Sequence, residues 1–370
     1  MKLKGLNILL ISNEPWGDVW YSKHNYAHEL SKHNHVTFVG PSPAWRPRFL
    51  LGCNVSEESV AEGLTVLHYN NVLPAKPGYS YHRNNALVSA AIRRHLQKRG
   101  RPTDLFISFD PARLYDPQAL GAKTSLFIAV DKYFFSLPGE RHLYSKVDGI
   151  VTISRTFNDL YLPFRKPILT IGHGISSDEF SATPAETVHE GFGLYIGGID
   201  KRVDLGLVEH LVTSFPEVPF VFIGRFALQG DPRAEALFMQ GRHKNLHHLG
   251  VKPFKELKRW IAASRFCLAP MDITHPGNDI SHHKVFQYLA FGKPIFSTVF
   301  SEYAGIADLL YMDNDPQALA AKLARFLQAS EDPGLLAARI AHMKGQTYEG
   351  ILQRLEAFLE QEVRPGKERA

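Results

Sequence analysis

The run SHHKVFQYLAFGKPIFST, residues 281–298, starts a helix with two histidines and a lysine and stops it at a glycine. The first-turn amides of a helix lack internal partners, and the helix dipole favours an anion beside them. A lysine in that turn opposes the dipole, so Lys284 makes chemical sense with an anion bound. A diphosphate linking a nucleoside to a sugar suits the place. Ser281 is placed as the N-cap, Gly292 as the stop and Pro294 as the barrier to continuation. Phe286, Leu289 and Ala290 form the apolar face. Gln287 and Tyr288, three and four residues after Lys284, share its face. Gln287 is thereby set one turn deeper, within reach of a ribose hydroxyl. The same spacing also fits an ordinary strand–helix unit with a polar surface.

Other side chains with chemistry stand just after apolar runs. Gly197 and Gly198 follow FGLYIGG and let a backbone approach a phosphate with no Cβ in the way. Ile199, Lys201 and Arg202 come next, and Arg225 follows PFVFIG; the three cations suit a phosphate, a sugar carboxylate or a solvated face. Asp131 ends TSLFIAV and Asp110 ends DLFISF. Either is a candidate general base, and either is equally placed to cap a following helix. The first loop, 13–30, is aromatic: Trp16, Trp20 and Tyr21 suit stacking on a sugar or anchoring of the loop. Asp18, His24 and His28 are its polar members. His24 and His28 have metal-like spacing, but no third ligand accompanies them. Asp313-Asn314-Asp315 precedes Pro316, where Asp315 reads as an N-cap and not as a metal ligand. No obligatory metal or cofactor is expected.

The basic run RRHLQKRGR (93–101) suits a helix C-terminus, and with WRPRFLLG (45–52) it is a candidate contact to anionic lipid. Residues 1–170 carry 21 Lys and Arg against 13 Asp and Glu, while 171–370 carry 21 against 24. The chain's net charge of +5 is thus +8 in the first part and −3 in the second, which suits an anionic partner of the first part or ordinary surface variation. No aromatic–basic platform points to nucleic acid. Two cysteines, Cys53 and Cys267, exclude a disulfide framework or a cysteine-rich zinc site. No apolar run reaches the roughly 18 residues of a membrane span, and no signal peptide is visible. A cytoplasmic chain is expected, free or peripheral on the inner face of the cell membrane.

These residues need a scaffold of strand ends. Apolar runs at 7–12, 35–40, 64–69, 104–109, 124–130, 149–154 and 167–172 read as buried strands, with helical patterns at 22–32, 82–99 and 154–162. The pattern restarts with strands at 192–198, 219–224, 245–250, 265–271 and 293–298. Helices at 203–214, 253–263, 282–291 and 315–328 separate them. The expected organisation is therefore α/β with two doubly wound domains facing a cleft: 1–171, a linker 172–191, and 192–332. Residues 333–361 read as one amphipathic helical region opening a C-terminal segment, 333–370, that crosses back to the first domain. Ligands then belong beyond the carboxyl ends of the strands. A dinucleotide dehydrogenase is a poor fit, since SNEPWG stands where a G-x-G-x-x-G would follow the first strand.

The order S-x-x-K-x-x-Q-Y-x-x-x-G-x-P resembles the nucleotide-sugar site of GT-B glycosyltransferases. More narrowly, it is similar to bacterial exopolysaccharide and teichuronic-acid type enzymes, including xanthan-type glucuronosyltransferases. ILTIGHGISSDEF (168–180), YIGGIDKRVDLGLV (195–208), FVFIGRF, NLHHLGVKPFKEL and FCLAPM resemble their successive segments in order. Many relatives carry Glu where this chain has Gln287, and loop 272–280 departs from the glucuronosyltransferase donor loop. The resemblance implies metal-independent transfer of a sugar, expected from a UDP-linked donor, to a saccharide acceptor, free or lipid-linked. It implies donor contacts at Gly197, Gly198, Ile199, Lys201, Arg202, Arg225, Val251, Lys252, Ser281, Lys284, Gln287 and Tyr288. Val251 and Lys252 would hold the base edge. Asp131 would be the base, with Asp110 its rival, and Trp16, Asp18, Trp20, Tyr21 and His24 would meet the acceptor. A nucleotide-sugar epimerase of the same architecture and a non-catalytic binding module are the alternatives.

Overall fold

The computed structural model describes residues 2–17, 20–47, 52–74, 78–187, 189–274, 278–279, 282–329 and 331–363. It divides into two compact units: Met1–Gly172 together with Tyr348–Ala370, and His173–Thr347.

The first unit is built on an eight-stranded sheet. Its strands are β1 (Asn7–Ile11), β2 (His35–Val39), β3 (Val55–Ala61), β4 (Leu64–Tyr69), β5 (Leu105–Ser108), β6 (Thr124–Ala129), β7 (Gly149–Thr152) and β8 (Ile168–Thr170). They lie in the order β3-β4-β2-β1-β5-β6-β7-β8, all parallel except β3. Ile8, Leu9 and Leu10 are almost wholly buried, as a parallel strand covered on both faces requires. The strand of this unit missing from the sequence expectation is β3, VSEESVA. It is a polar edge strand paired antiparallel to β4, and its Glu57 and Glu58 hide any apolar signal. Helices α1 (Ser22–Ser31), α2 (Tyr79–Lys98), α3 (Glu140–Lys146) and α4 (Asn158–Tyr161) connect the strands.

The second unit carries β9 (Gly193–Ile196), β10 (Phe220–Ile223), β11 (Leu246–His248), β12 (Phe266–Ala269), β13 (Ile295–Ser297) and β14 (Tyr311–Met312). Its helices are α5 (Leu205–Ser214), α6 (Pro232–Phe238), α7 (Phe254–Ala263), α8 (His283–Ala290), α9 (Pro316–Gln328) and α10 (Pro333–Lys344). The sheet is parallel throughout, in the order β11-β10-β9-β12-β13-β14. The strand order therefore reverses between β9 and β12. In the first unit it reverses between β1 and β5. Such switch points leave a crevice beyond the strand ends, because the connections on either side run away from it.

The C-terminal segment is two helices and not one. Gly345 ends α10, which belongs to the second unit, and α11 (Tyr348–Phe358) belongs to the first. The boundary thus falls between Thr347 and Tyr348, not at 333. On the first unit the Tyr348 ring meets Tyr26 edge-on at 5.3 Å, and the Leu3 N–H donates to Glu356 at 2.7 Å.

Candidate functional site

In the second unit, β9 ends at Ile196, just before Gly197, and β12 ends at Ala269, two residues before Met271, on the two sides of the switch point. Helix α8 starts beside them. Its N-cap is His282, one residue after the expected Ser281, which lies outside the described residues. The His282 side chain makes no capping bond. Its N–H donates to the Tyr303 hydroxyl at 2.7 Å, and its ring Nε2 lies 3.3 Å from the Asn278 carbonyl. Burial, then the Lys284 charge, lower its pKa to about 4, so it stands neutral at the helix start. Gly292, at φ +67°, ends α8 as expected, with the Lys293 N–H returning to the Tyr288 carbonyl at 3.0 Å.

Lys284 reaches inward from the first turn. Its Nζ sits 4.0 Å from the centroid of the Tyr195 ring and 4.0 Å from Met271 Sδ. Among the described residues it has no carboxylate partner. The neighbouring Asp200 is already held by Arg202, whose Nε and Nη2 donate to it at 2.9 and 2.7 Å. That bond holds the Asp200 carboxyl below its usual range. The pair cancels, and the local excess is the one ammonium. Burial, helped by Arg202 and opposed by Asp200, brings the Lys284 pKa down to about 7. A cation so placed is costly until an anion arrives.

The backbone around it is open for a reason. Gly197 has φ +140°, and a Cβ there would lie 2.7 Å from the Lys284 Nζ. Gly224, after β10 at φ +157°, would place a Cβ 1.9 Å from the Gly197 carbonyl oxygen. Only glycine at both positions lets the two strand-end turns stack beside the ammonium.

Of the expected donor residues, the structure gathers Gly197, Gly198, Arg202, Lys284 and Gln287 in one unit. It corrects two. The Ile199 side chain is fully buried, its N–H is given to the Arg225 carbonyl and its carbonyl is taken by the Ala227 N–H, so it is core. Tyr288 is also fully buried, and its hydroxyl accepts the Ile196 N–H at 2.8 Å; it braces the end of β9 and does not face a ligand. Lys201, Arg225 and Val251 are exposed and Lys252 is half-buried. Sequence reasoning missed Tyr195, although residues 195 and 197 share a strand face. It also missed Asp200, two residues before its partner Arg202, and Glu179. The Gln287 Nε2 donates to Glu179 at 2.7 Å.

In the first unit the switch point carries a different cluster. Lys23, from α1, is buried; its Nζ donates to Asn13 and it lies within electrostatic reach of Glu14, Asp131 and Asp110. Burial pulls its pKa down and those carboxylates resist. Asp131 is exposed just beyond β6. Asp110 is not a free base. One oxygen accepts the Ala112 N–H at 2.8 Å, and the other pairs with Arg113. His24 is likewise structural. Its Nδ1 accepts the Tyr21 N–H at 3.0 Å, which leaves Nε2 to donate to the Pro15 carbonyl at 2.9 Å. Trp16 packs on Trp20, His24 and Phe38, with centroids 5.1–5.5 Å apart, as a loop anchor. Trp20 packs on His28, and Tyr21 is 47% exposed. Asp18 lies outside the described residues, as do Arg48–Leu51 of the 45–52 run. In the basic run, Arg93, Arg94, Lys98 and Arg99 are exposed, whereas Arg101 turns back to Glu57. Asp315 caps α9, and Lys322 pairs with Asp313. No group of three or more metal-ligating side chains is assembled among the described residues, and no helix among them is long and apolar enough to cross a membrane.

No family model and no curated protein sequence matches the chain. Solved structures do. An E. coli trehalose-6-phosphate structure bound with UDP-2-fluoro glucose is similar over 96% of this chain and 99% of that one, at 12% identity and TM-score 0.67. The catalytic domain of starch synthase IV from Arabidopsis thaliana, bound to ADP and acarbose, covers 98% and 100%, at 14% identity and TM-score 0.65. Anabaena Alr3699/HepE, in complex with UDP and glucose, covers 96% and 100%, at 13% identity and TM-score 0.63. These neighbours are GT-B glycosyltransferases. The fold of this chain is accordingly α/β, with two parallel-sheet, Rossmann-like domains of the GT-B kind.

Proposed function

We propose that this protein is a glycosyltransferase that takes a UDP-linked sugar on its second unit and passes the sugar to a saccharide acceptor. One observation carries the proposal: at the switch point of the second sheet an ammonium lies beside a glycine turn, and among the described residues no carboxylate pairs with it. A diphosphate supplies that charge, and the first turn of α8 supplies amides beside it. Gly197 and Gly198 allow the close backbone approach, and Gln287 serves the ribose. Val251 and Lys252, after the turn at Gly250, serve the base. The UDP and ADP complexes of the structural neighbours support a nucleoside diphosphate as the ligand class.

In the proposed chemistry the acceptor oxygen attacks the anomeric carbon as the bond to the diphosphate oxygen breaks. Lys284 neutralises charge that builds on the departing diphosphate, a role that needs no divalent metal. Asp131 takes the acceptor proton in an inverting transfer. The exposed cations of α2 support an acceptor carried at an anionic membrane surface, and with it a place in bacterial cell-surface or exopolysaccharide synthesis.

Titration of UDP into the wild type and into Lys284→Ala tests the site. The variant is expected to bind about 100-fold more weakly with an unchanged circular dichroism spectrum, as loss of a charge-assisted contact predicts. Equal affinity would remove the basis of the assignment. Labelled UDP-sugars offered with a membrane extract test the reaction: label in saccharide or lipid marks transfer, and a changed sugar nucleotide marks an epimerase.

A further inference from the structure

Gln287 is buried in the first turns of α8, and only one end of its amide is used. Its Nε2 donates to the Glu179 Oε2 at 2.7 Å; its Oε1 accepts nothing from the described residues. Glu179 lies 108 positions away in sequence, in the short turn Ser177–Phe180. It is 7% exposed, and its Oε1 accepts the Ser176 N–H at 3.1 Å. No cation pairs with it among the described residues. A carboxylate only accepts hydrogen bonds, and a primary amide donates only from nitrogen. The bond therefore decides which way the Gln287 amide is turned. Nitrogen faces Glu179, and oxygen is left as a pure acceptor. A uridine nucleotide offers such an acceptor its ribose hydroxyls and its base N–H; with the base assigned to Val251 and Lys252 in the proposed site, the ribose hydroxyls are the donors left to Gln287.

We propose that Glu179 is a positioning residue of the ribose subsite: it holds the Gln287 amide in one orientation, so that Gln287 Oε1 selects a ribose hydroxyl. This rests on the nucleotide site proposed above and adds to it the device that makes the site read the sugar. It also accounts for the glutamine. With Glu179 in place, a glutamate at 287 would set two carboxylates against each other, one of which would have to take up a proton.

The test is a swap, read with UDP, 2′-deoxy-UDP and 3′-deoxy-UDP. Wild type is expected to bind UDP about tenfold more tightly than one of the deoxy analogues, the worth of one good hydrogen bond. Glu179→Gln frees the amide to turn, and the preference is expected to fall to about twofold. Gln287→Glu is expected to weaken UDP itself by about tenfold, through the carboxylate pair. The double variant Glu179→Gln/Gln287→Glu restores a donor facing an acceptor with the roles exchanged. It is expected to recover both affinity and preference to within about threefold of wild type, a coupling that independent structural damage does not produce. A wild type that does not bind UDP overturns the nucleotide site and this role with it. If wild type binds UDP, three results each overturn the Glu179 role alone: no preference among the analogues, an unchanged preference in Glu179→Gln, or a double variant as weak as the two single losses combined.

Discussion

Each unit places one lysine at the switch point of its sheet, Lys23 buried and Lys284 half-buried, and the two lysines have opposite company. Lys23 donates to Asn13 and faces Glu14, Asp110 and Asp131. Lys284 faces an aromatic ring and a methionine sulfur, and its nearest carboxylate, Asp200, is committed to Arg202. The first site is already neutralised by protein and carries an excess of carboxylate. The second leaves its ammonium without a carboxylate partner among the described residues. Under the proposed function, the same fold element makes a place that takes a proton from a neutral hydroxyl and a place that receives a phosphate. The difference lies in which residues stand at the strand ends, not in the sheets.

The comparison makes its largest claim at Asp131. If the first switch point exists to remove a proton, Asp131→Asn should lower kcat by about 10²–10⁴-fold, the usual worth of a general base. UDP affinity, measured separately by calorimetry, should stay within about twofold, since Asp131 and the lysine of the donor site belong to different units. A variant that keeps wild-type turnover removes Asp131 as the base. A variant that loses UDP binding as well removes the division of labour.

The second claim concerns pH. The Lys284 pKa in the free protein is about 7, against an ordinary 10.5. Between those values the unfolded chain holds a proton that the folded one has shed, so stability from this group rises with pH and its burden is full below about pH 7. UDP binding must run the other way, because it needs the ammonium. Above pH 7.5 the UDP phosphates are already ionised, so in the lysine–diphosphate contact the lysine is the group that titrates. Affinity should fall at least about tenfold between pH 7.5 and 9.5, with proton uptake on binding seen in buffers of different ionisation enthalpy. Lys284→Arg, which cannot lose its charge, should flatten the curve. Wild type and Lys284→Arg giving the same profile would sink the claim that Lys284 meets the diphosphate.

The unequal company of the lysines also explains what the sequence disclosed. Lys284 was legible because a cation in the first turn of a helix defies the dipole, and Gly197-Gly198 stood where a strand had just ended. Lys23 was not, because KHNYAHEL reads as an ordinary helix surface. Only the fold shows that this side chain turns under the end of β1. Tyr288 was assigned to the ligand because i and i+4 share a face, but that face also touches the sheet, and the hydroxyl goes to the Ile196 N–H. His24 was assigned by type, and its two backbone bonds come from a turn no pattern announces. Glu179 was beyond reach, since its partner is distant in the chain. The sheets were legible because parallel strands are continuous apolar runs; β3 was not, because an edge strand can be polar, and neither was β14, whose two residues are too few to make a run.

The smallest expected effect is the most direct comparison of the two lysines, and it is a matter of stability. Methionine approximates the length of lysine without its charge. Lys23→Met leaves the Asn13 oxygen without its donor and Glu14 and Asp131 without the nearby cation, while Asp110 keeps Arg113. Such a loss costs about 1–3 kcal/mol, and at about 2–4 °C per kcal/mol for a unit of this size the melting temperature should drop by several degrees. Lys284→Met removes an ammonium that has no carboxylate to lose and places a thioether against the Tyr195 ring, a favourable contact. Its melting temperature at pH 6.5, where the wild-type lysine is charged, should be unchanged or higher, while UDP no longer raises it. Calorimetric scans of both variants with and without UDP decide the matter. If Lys284→Met melts as far below wild type as Lys23→Met does, the second lysine has a protein partner after all, and the diphosphate has no uncompensated charge to meet there.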